Sequence, residues 1–205
     1  MDSGTGDGAS GARAVEPQAT GRAEKRDKIV AAGRELFLAH GYGCTTMDAV
    51  ARAAPVSKRT LYNHFESKQA LFLAVLRISW ANLSEAPPVR PEDDVRDTLR
   101  GYVARLEEHW RHPDVLPFLR LLIAEGTRFP ELSDIYYQAG KAPAVAELAG
   151  YFEGKPDALG LTAEARAVQF LGMVKEALFW PQVLGFPPAK DRDAVIDAAI
   201  ARVIG

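Results

Sequence analysis

Residues 56–65 read Val-Ser-Lys-Arg-Thr-Leu-Tyr-Asn-His-Phe, and the spacing of Leu61 and Phe65 within them decides the fold. Two apolar residues four positions apart lie on one face of an α-helix, while the charged and polar residues around them lie on the other faces. Ser57 is a residue type that caps helices, because its side-chain oxygen can accept a hydrogen bond from the first turn. The stretch therefore predicts a short helix that is anchored in a core on one side and leaves a cationic side outside.

Helical patterns flank this stretch on both sides. Upstream, apolar residues recur with helical spacing over residues 29–37, and the pattern ends at Gly41. The segment Thr45–Asp48 is similar to a capping box and predicts a second short helix, which Pro55 ends. Downstream, Ser67 predicts the start of a fourth helix. Two short helices that follow a longer one across a tight turn predict a helix-turn-helix, which inserts its last helix into the DNA major groove.

The charge is distributed unevenly along the chain. The whole chain of 205 residues carries a net charge of -2 at pH 7. Residues 22–68 hold nine Lys or Arg and five acidic residues, a net charge of +4, whereas residues 69–205 hold 15 basic and 19 acidic residues, a net charge of −4. A basic head on an acidic body is typical of a protein that presents one end to phosphate groups. The alternative is that these cations form the solvated face of an ordinary helical bundle.

Helical spacing continues to the end of the chain, and no segment shows the two-residue period of a strand. Three prolines, Pro87, Pro88 and Pro91, predict a break in the chain. Five further helices are predicted after this break, at residues 92–111, 114–128, 130–153, 162–185 and 189–204. We therefore predict an all-α fold of about nine helices, in which an N-terminal three-helix helix-turn-helix domain at 22–68 precedes a C-terminal helical bundle at 69–205. Residues 1–21 are rich in small residues without an apolar period and are predicted to form a disordered tail.

The composition excludes several classes of protein. Hydrophobic residues make up 47% of the chain and charged residues 25%, which is ordinary for a globular protein. No uncharged stretch approaches the roughly 20 apolar residues that cross a bilayer. Asp2 and Asp7 stand where a signal peptide would carry positive charge, so we predict a cytoplasmic location and no membrane partner. Cys44 is the only cysteine and therefore cannot form an internal disulfide.

Two histidines and three glutamates raise a metal-dependent or an enzymatic function as alternatives. His109 and His112 are three residues apart, a spacing that metals can use, but the sequence offers no identifiable third ligand. Glu107, Glu108 and Glu125 could act as acid–base carboxylates, yet no nucleophile, cofactor motif or phosphate loop accompanies them. We therefore predict a protein that is not an enzyme and has no cofactor and no metal.

The N-terminal pattern resembles the tetracycline-repressor (TetR/AcrR) family of bacterial transcriptional regulators. Phe37, the Gly41–Tyr42 pair and the Thr45–Thr46 pair stand where that family has its F…GY…TT pattern. Residues 56–65, followed by Ser67 and Lys68, resemble its recognition helix and the start of helix 4. The resemblance covers residues 22–76 and implies a DNA-binding regulator. One departure is Pro55, which stands where the family usually has a glycine with positive φ, a conformation that proline cannot adopt.

The resemblance also implies which residues contact DNA. Contacts to base edges are expected from Lys58, Arg59 and Thr60. Phosphate contacts are expected from Thr46, Ser57, Tyr62, His64 and Lys68.

A symmetric dimer is the second implication of the resemblance. The segment 163–184 is apolar on most sides, so most sides must be covered. The family resemblance suggests that the last two predicted helices, 162–185 and 189–204, meet their symmetry mates in a four-helix interface. The residues predicted for this interface are Phe170, Val174, Leu178, Val195 and Ala199. Such a dimer would place its recognition helices about 34–36 Å apart and would bind a palindromic operator.

A small-molecule effector in the domain at 69–205 is the third implication. The residues predicted to line its site are mostly aromatic, namely Trp80, Tyr102, Trp110, Phe118, Leu122, Phe129, Tyr136, Phe170 and Met173. Such a lining favours an uncharged, hydrophobic or aromatic effector, whose binding would release a repressor from DNA. Two alternatives stay open: a helical ligand-binding or interaction module that does not bind DNA, and an activator or regulator without inducer control.

Overall fold

Helices provide the regular structure of this protein, and no strand occurs in the residues that the computed structural model describes, 17–80, 94–155 and 160–204. The N-terminal part contains α1 (Pro17–Cys44), α2 (Met47–Ala53), α3 (Lys58–His64) and α4 (Lys68–Ser79). The C-terminal part contains α5 (Val95–Arg111), α6 (Val115–Glu125), α7 (Glu131–Tyr136), a π-helical turn (Tyr137–Lys141), α8 (Ala142–Phe152), α9 (Ala163–Leu178), α10 (Trp180–Leu184) and α11 (Arg192–Ile204). The predicted all-α fold is confirmed.

Two of the predicted helices are interrupted. The one predicted at 130–153 runs from α7 through the π-helical turn into α8. The one predicted at 162–185 breaks at Phe179 into α9 and α10, because Pro181 has no backbone N–H to donate to the Ala177 carbonyl one turn earlier. That carbonyl instead accepts a hydrogen bond from the backbone N–H of Ala189, at 2.9 Å. The three prolines of the predicted chain break lie outside the described residues.

The start of α1 differs from the sequence-based prediction. Residues 17–21 were predicted as part of the disordered tail, but they form the first turns of α1. Proline is well tolerated at the first position of a helix, and Gln18 and Ala19 are good helix formers. The rest of the predicted tail, residues 1–16, lies outside the described residues.

The second helix begins one residue later than its capping pattern predicted. Thr46 is the N-cap, since its side chain accepts a hydrogen bond from the backbone N–H of Ala49 at 3.1 Å. Thr45 is buried, and its hydroxyl lies 3.1 Å from the Leu36 carbonyl and 2.8 Å from the Gly41 carbonyl. Thr45 therefore ties α2 to the end of α1 and does not cap a helix.

The turn between α2 and α3 keeps the two helices in contact despite Pro55. The backbone N–H of Val56 donates to the Ala51 carbonyl at 3.1 Å, and no non-glycine residue in the described ranges has a positive φ. Ala51, Leu61 and Phe65 are all buried, as the sequence predicted. The helix crossing is therefore held by apolar packing and does not need a glycine in the turn.

The C-terminal part, α5 to α11, is called the body below. It is organised around α9, which packs against both α8 and α11. Arg166 of α9 is 2% exposed, and its guanidinium donates to the Val203 carbonyl in the last turn of α11 at 2.9 Å. The same guanidinium lies 4.5 Å from the centre of the Phe152 ring. This buried cation joins three helices at one point.

The N-terminal part, α1 to α4, is called the head, and it is joined to the body through both ends of α6. At its start, the buried carboxylate of Asp114 accepts two hydrogen bonds from the guanidinium of Arg34 in α1. At its end, the carboxylate of Glu125 accepts hydrogen bonds from the backbone N–H groups of Tyr42 and Gly43, at 2.8 and 2.7 Å. Gly41, with φ of 80°, turns these two N–H groups out of α1. We refer to these contacts as the α1–α6 joint.

Gly41→Ala is expected to lower the free energy of unfolding by about 1–3 kcal/mol, because an L-residue is strained at this φ. An added Cβ would also lie 2.2 Å from the Glu125 carboxylate oxygen that caps the turn. Gly101→Ala is the matched control: Gly101 lies inside α5 with open space around it, so this change should raise stability by about 0.5–1 kcal/mol. Urea unfolding at one protein concentration measures both changes, and equal effects of the two substitutions would contradict the expectation.

Candidate functional site

The outer side of α3 carries exposed polar side chains above a buried anchor. Lys58, Arg59 and Tyr62 are exposed, whereas Leu61 is completely buried. Ser57 caps α3, since its side chain accepts from the backbone N–H of Thr60 at 3.1 Å, and the two hydroxyl groups lie 2.8 Å apart. The helix thus has the two-sided character that the sequence predicted.

Lys58 and Arg59 differ in what surrounds their charges. The ammonium of Lys58 lies 2.6 Å from the carboxylate of Asp48 on α2, in an ion pair whose partners are both exposed. Exposed pairs of this kind contribute little to stability, so a phosphate or base edge can replace Asp48. Arg59 has no ion pair with any residue in the described part of the chain. Its guanidinium is therefore available for a bidentate contact, the geometry that reads guanine in the major groove.

Lys68 is placed differently from the other predicted phosphate contacts. Its ammonium donates to the Tyr42 carbonyl at 2.7 Å and lies 4.2 Å from the centre of the Tyr42 ring. Burial lowers the pKa of Lys68, although Glu125 and Glu131 partly oppose this effect. In this conformation the Lys68 side chain packs on Tyr42 beside the α1–α6 joint and does not extend toward solvent.

A group of cations at the start of α1 lies beside α3, although these residues were not among the predicted DNA contacts. A surface groove between α1 and α3 is lined by Gly21, Arg22, Lys25, Thr60, Asn63 and His64. The pKa of His64 is lowered by its burial and by the charges of Arg22, Arg26 and Lys25. The run of charged residues before Ile29 was the available signal, but only folding brings that run beside α3. The positive surface of the head is therefore wider than α3 alone.

A second feature is a cavity of about 140 Å³ in the body. It lies among α5, α6, α7, the π-helical turn, α8 and α9, together with Trp80, which follows α4, and Phe179, which follows α9. Three of the nine residues predicted to line an effector site do line this cavity, namely Trp80, Trp110 and Tyr136. The lining residues that the sequence did not predict include Leu106, His109, Val115, Leu119, Gly140, Glu147, Lys175 and Phe179.

The other six predicted lining residues lie elsewhere. Tyr102, Phe118, Leu122 and Phe170 are buried in the core, where they pack between helices. Phe129 packs against the Tyr42 ring with their centres 5.2 Å apart, so it belongs to the contact between head and body. Met173 is 37% exposed on the outer side of α9. These six predictions are corrected, because a scattered set of apolar residues does not reveal which members face a cavity.

Polar groups interrupt the apolar wall of the cavity. Trp80 Nε1 and His109 Nδ1 are buried, and neither has a hydrogen-bond partner among the described residues. The carboxylate of Glu147 is neutralised by the guanidinium of Arg105. The ammonium of Lys175 lies 6.0 Å from the centre of the Phe179 ring and has no hydrogen bond or ion pair within the described ranges. Burial, together with the charge of Lys141, lowers the pKa of Lys175. The cavity thus contains polar groups that a bound molecule can satisfy.

His109 and His112 have different surroundings. His109 lines the cavity, whereas Nδ1 of His112 accepts a hydrogen bond from the Asp114 backbone N–H at 3.3 Å. The described residues contain no group of three or more potential ligands that could hold a metal ion. None of the helices described here has both the length and the apolar character needed to span a bilayer.

The predicted dimer residues need correction as well. Phe170, Val174, Leu178 and Ala199 are at most 3% exposed within a single chain, so they cannot supply much surface to a second one. The physical reason is that α8 and α11 of the same chain already cover the two apolar sides of α9. Val195 is half-buried. The exposed large apolar side chains nearby are instead Val168, Met173, Leu184 and Phe186.

Comparison with known protein families gives a consistent assignment for both parts of the chain. Residues 29–75 match the profile described as "Bacterial regulatory proteins, tetR family". Residues 97–204, more than half of the chain, match "AefR-like transcriptional repressor, C-terminal domain". The chain belongs to the TetR family. It is therefore a helix-turn-helix DNA-binding transcriptional regulator. Regulators of this family bind operator DNA, typically as dimers and with small-molecule effectors.

Individual relatives cover different shares of the chain. The repressor SCO4008 of Streptomyces coelicolor is 27% identical over 192 residues, which is 93% of this chain and 86% of that protein. The activator FasR of Mycolicibacterium smegmatis is 38% identical over 93 residues, which is 44% of this chain but only 42% of FasR. Among solved structures, the flavonoid-responsive regulator FrrA superposes with a TM-score of 0.72 at 29% identity, over 89% of this chain and 94% of FrrA.

His109 gives this TetR-family protein an expected pH dependence. Burial, followed by the charges of His112 and Lys175, lowers the pKa of His109 to about 4 in the folded chain, from an ordinary value near 6.5. Between these two values the unfolded chain binds more protons, so stability falls as the pH falls through this window. We expect this residue to account for about 2 kcal/mol of lost stability between pH 7.5 and pH 5.

The test compares urea unfolding of the native protein and of His109→Gln at both pH values. The variant should lose less stability on acidification than the native protein. His40→Gln, at an exposed position, is the control and should retain the native pH dependence. An unchanged pH dependence in His109→Gln would assign the acid sensitivity to other groups.

Proposed function

We propose that this protein is a repressor that binds a palindromic operator as a homodimer and leaves it when a small effector fills the cavity. The observation that carries the proposal is the exposed cationic side of α3, fixed from below by the buried Leu61. The repressor role is supported by SCO4008, which matches nearly the whole chain, whereas the match to the activator FasR covers less than half of it. A non-enzymatic, cytoplasmic role accompanies this proposal.

On operator DNA, Lys58, Arg59 and Thr60 would contact base edges. Phosphate contacts would come from Thr46, Ser57, Tyr62 and His64, and from Lys68 only if it exchanges the Tyr42 carbonyl for a phosphate oxygen. Arg22 and Lys25 extend this surface on the side of α1, because they line the groove that α1 shares with α3. Their charges would strengthen binding to any sequence and increase its dependence on salt.

The dimer surface is proposed on the outer side of α9 and the segment after α10. Val168 and Met173 are 47% and 37% exposed on α9, and Leu184 and Phe186 are 68% and 65% exposed. We propose that these four side chains contribute to one apolar patch, since a contiguous exposed apolar patch is typical of a surface that another protein covers. This placement keeps α9 of the resemblance-based prediction but moves the contact to a different face of that helix, and it replaces α11 by the end of α10 and the segment after it.

Effector binding would act on DNA binding through α6. Val115 and Leu119 of this helix line the cavity, while Asp114 and Glu125 hold α1 through the α1–α6 joint. An effector that shifts α6 would therefore shift the end of α1 and the short helices that pack on it. A coupling free energy of about 1–3 kcal/mol between effector and operator is the usual size of such an effect.

Arg59→Ala tests the assignment of α3 as the recognition helix. The operator is first recovered by sequencing genomic DNA that co-purifies with the native protein. The variant should lose about 1–3 kcal/mol of discrimination at one base pair of each half-site, with the fold unchanged. Arg202→Ala, at an exposed position on α11, is the control and should bind as the native protein does.

Binding constants are measured by gel shift on the operator and on single-base variants, each at two salt concentrations. Native binding should weaken steeply with salt, as counterion release requires. Unchanged base preference in Arg59→Ala would show that Arg59 contacts only the backbone. No gel shift on the operator at either salt concentration would favour the interaction module that does not bind DNA.

Met173→Glu tests the proposed dimer surface. A carboxylate introduced on each side of a symmetric apolar contact would be desolvated next to its own copy, so the dimer should dissociate and operator affinity should fall. Ile78→Glu is the matched control, because Ile78 is an apolar residue that is 52% exposed on α4, in the N-terminal part of the chain. Light scattering gives the mass in solution, and a Met173→Glu protein that keeps the mass of two chains would rule out this surface.

A further inference from the structure

The size of the cavity limits what it can hold. Its volume of about 140 Å³ is close to that of an engineered protein cavity of about 150 Å³ that binds benzene. The rings of Trp80, Trp110, Tyr136 and Phe179 supply most of its aromatic wall. Trp110 and Phe179 pack with their ring centres 4.7 Å apart, and Trp80 meets Tyr136 edge to face at 5.9 Å. In this conformation the cavity therefore fits one aromatic ring.

The charges around the cavity are not balanced. Glu147 is the acidic residue in the lining, and its carboxylate is already paired with Arg105. Lys175 on α9 also lines the cavity, is half-buried, and has no anionic partner among the described residues. The positively charged Lys141 lies close enough to lower the pKa of Lys175 further. A half-buried ammonium without a counter-ion favours an anionic ligand.

The unpaired ring nitrogens indicate the same kind of ligand. Trp80 Nε1 carries a hydrogen that it can only donate, so only an acceptor satisfies it. His109 has a pKa of about 4 and is neutral at pH 7, so its Nδ1 can carry a hydrogen or accept one. The ring centres of Trp80 and His109 are 6.3 Å apart, so the two groups belong to one end of the cavity. An oxygen-rich group placed there would meet both.

We propose that the effector is a one-ring aromatic anion, a carboxylate or an acidic phenol, whose oxygen atoms are held by Lys175 and Trp80. The ring would lie among Trp110, Tyr136 and Phe179, and the neutral His109 would adjust its tautomer to the bound oxygen. This inference rests on the proposed effector-controlled function and replaces the sequence-based expectation of an uncharged effector. That expectation could not include Lys175, which only tertiary packing brings to the cavity.

The test compares benzoate and benzamide as probes, because these molecules have nearly the same shape and differ in charge. Calorimetric titration of the DNA-free native protein at pH 7.5 should give at least tenfold tighter binding of benzoate. Lys175→Met should reduce this preference to less than about threefold, since the charge is lost while the apolar stem is kept. Lys175→Arg, which keeps the charge, should retain a preference for benzoate. Lys190→Met, at an exposed position, is the matched control and should behave as the native protein does.

Three outcomes would overturn the proposal. These are equal or tighter binding of benzamide by the native protein, an unchanged preference for benzoate in Lys175→Met, and no binding of either probe at about 10 mM, a concentration at which fragments of this size bind a fitting site. Unfolding curves for each variant show that a lost preference is not a lost fold.

Operator binding is measured separately by gel shift with and without benzoate. If benzoate binds as expected but leaves the DNA complex intact, the result would contradict the proposed release of the protein from DNA by an effector. It would not contradict the proposed anion site. Weak operator binding in the absence of benzoate would contradict the proposed repressor function alone.

Discussion

The arrangement of head and body depends most on the hydrogen bonds that the Glu125 carboxylate accepts from α1. It accepts the backbone N–H groups of Tyr42 and Gly43, which the turn at Gly41 leaves without partners in α1. The same helix, α6, is fixed to α1 at its other end by Asp114, whose buried carboxylate pairs with the guanidinium of Arg34. One helix of the body is thereby bound to the head at two points about three turns apart, and such an element moves as a unit.

The fold of the head could be predicted from the sequence because its determinants are local. Leu61 and Phe65 are buried as their spacing requires, and Ser57 and Ser67 cap the helices that follow them. The capping pattern failed only at Thr45, where either of two neighbouring threonines could act as the cap. The one that is buried bonds instead to carbonyl groups of α1, a contact that depends on tertiary packing.

The cavity and the dimer surface could not be predicted to the same extent. Phe170 and Val168 are two residues apart on a helix that is apolar on most sides, yet one is buried and the other is 47% exposed. Which side of such a helix its own chain covers depends on the positions of α8 and α11, and no periodicity encodes those positions. Lys175 and His109 lie 66 positions apart in the sequence and meet the same cavity only after folding. Their chemistry, and not the aromatic residues that surround them, distinguishes this site from an ordinary core.

The guanidinium of Arg166 makes the final turn of α11 part of the core of the protein. Two of its nitrogen atoms donate to the carbonyl of Val203, so any shortening of the polypeptide that removes this carbonyl takes hydrogen bonds away from a buried cation beside the Phe152 ring. Removing the acceptor of a buried donor costs about 1–3 kcal/mol, and more for a charged group, which is a large share of the stability of a typical domain. Loss of the last turn of α11 would therefore weaken the packing of α8, α9 and α11 together.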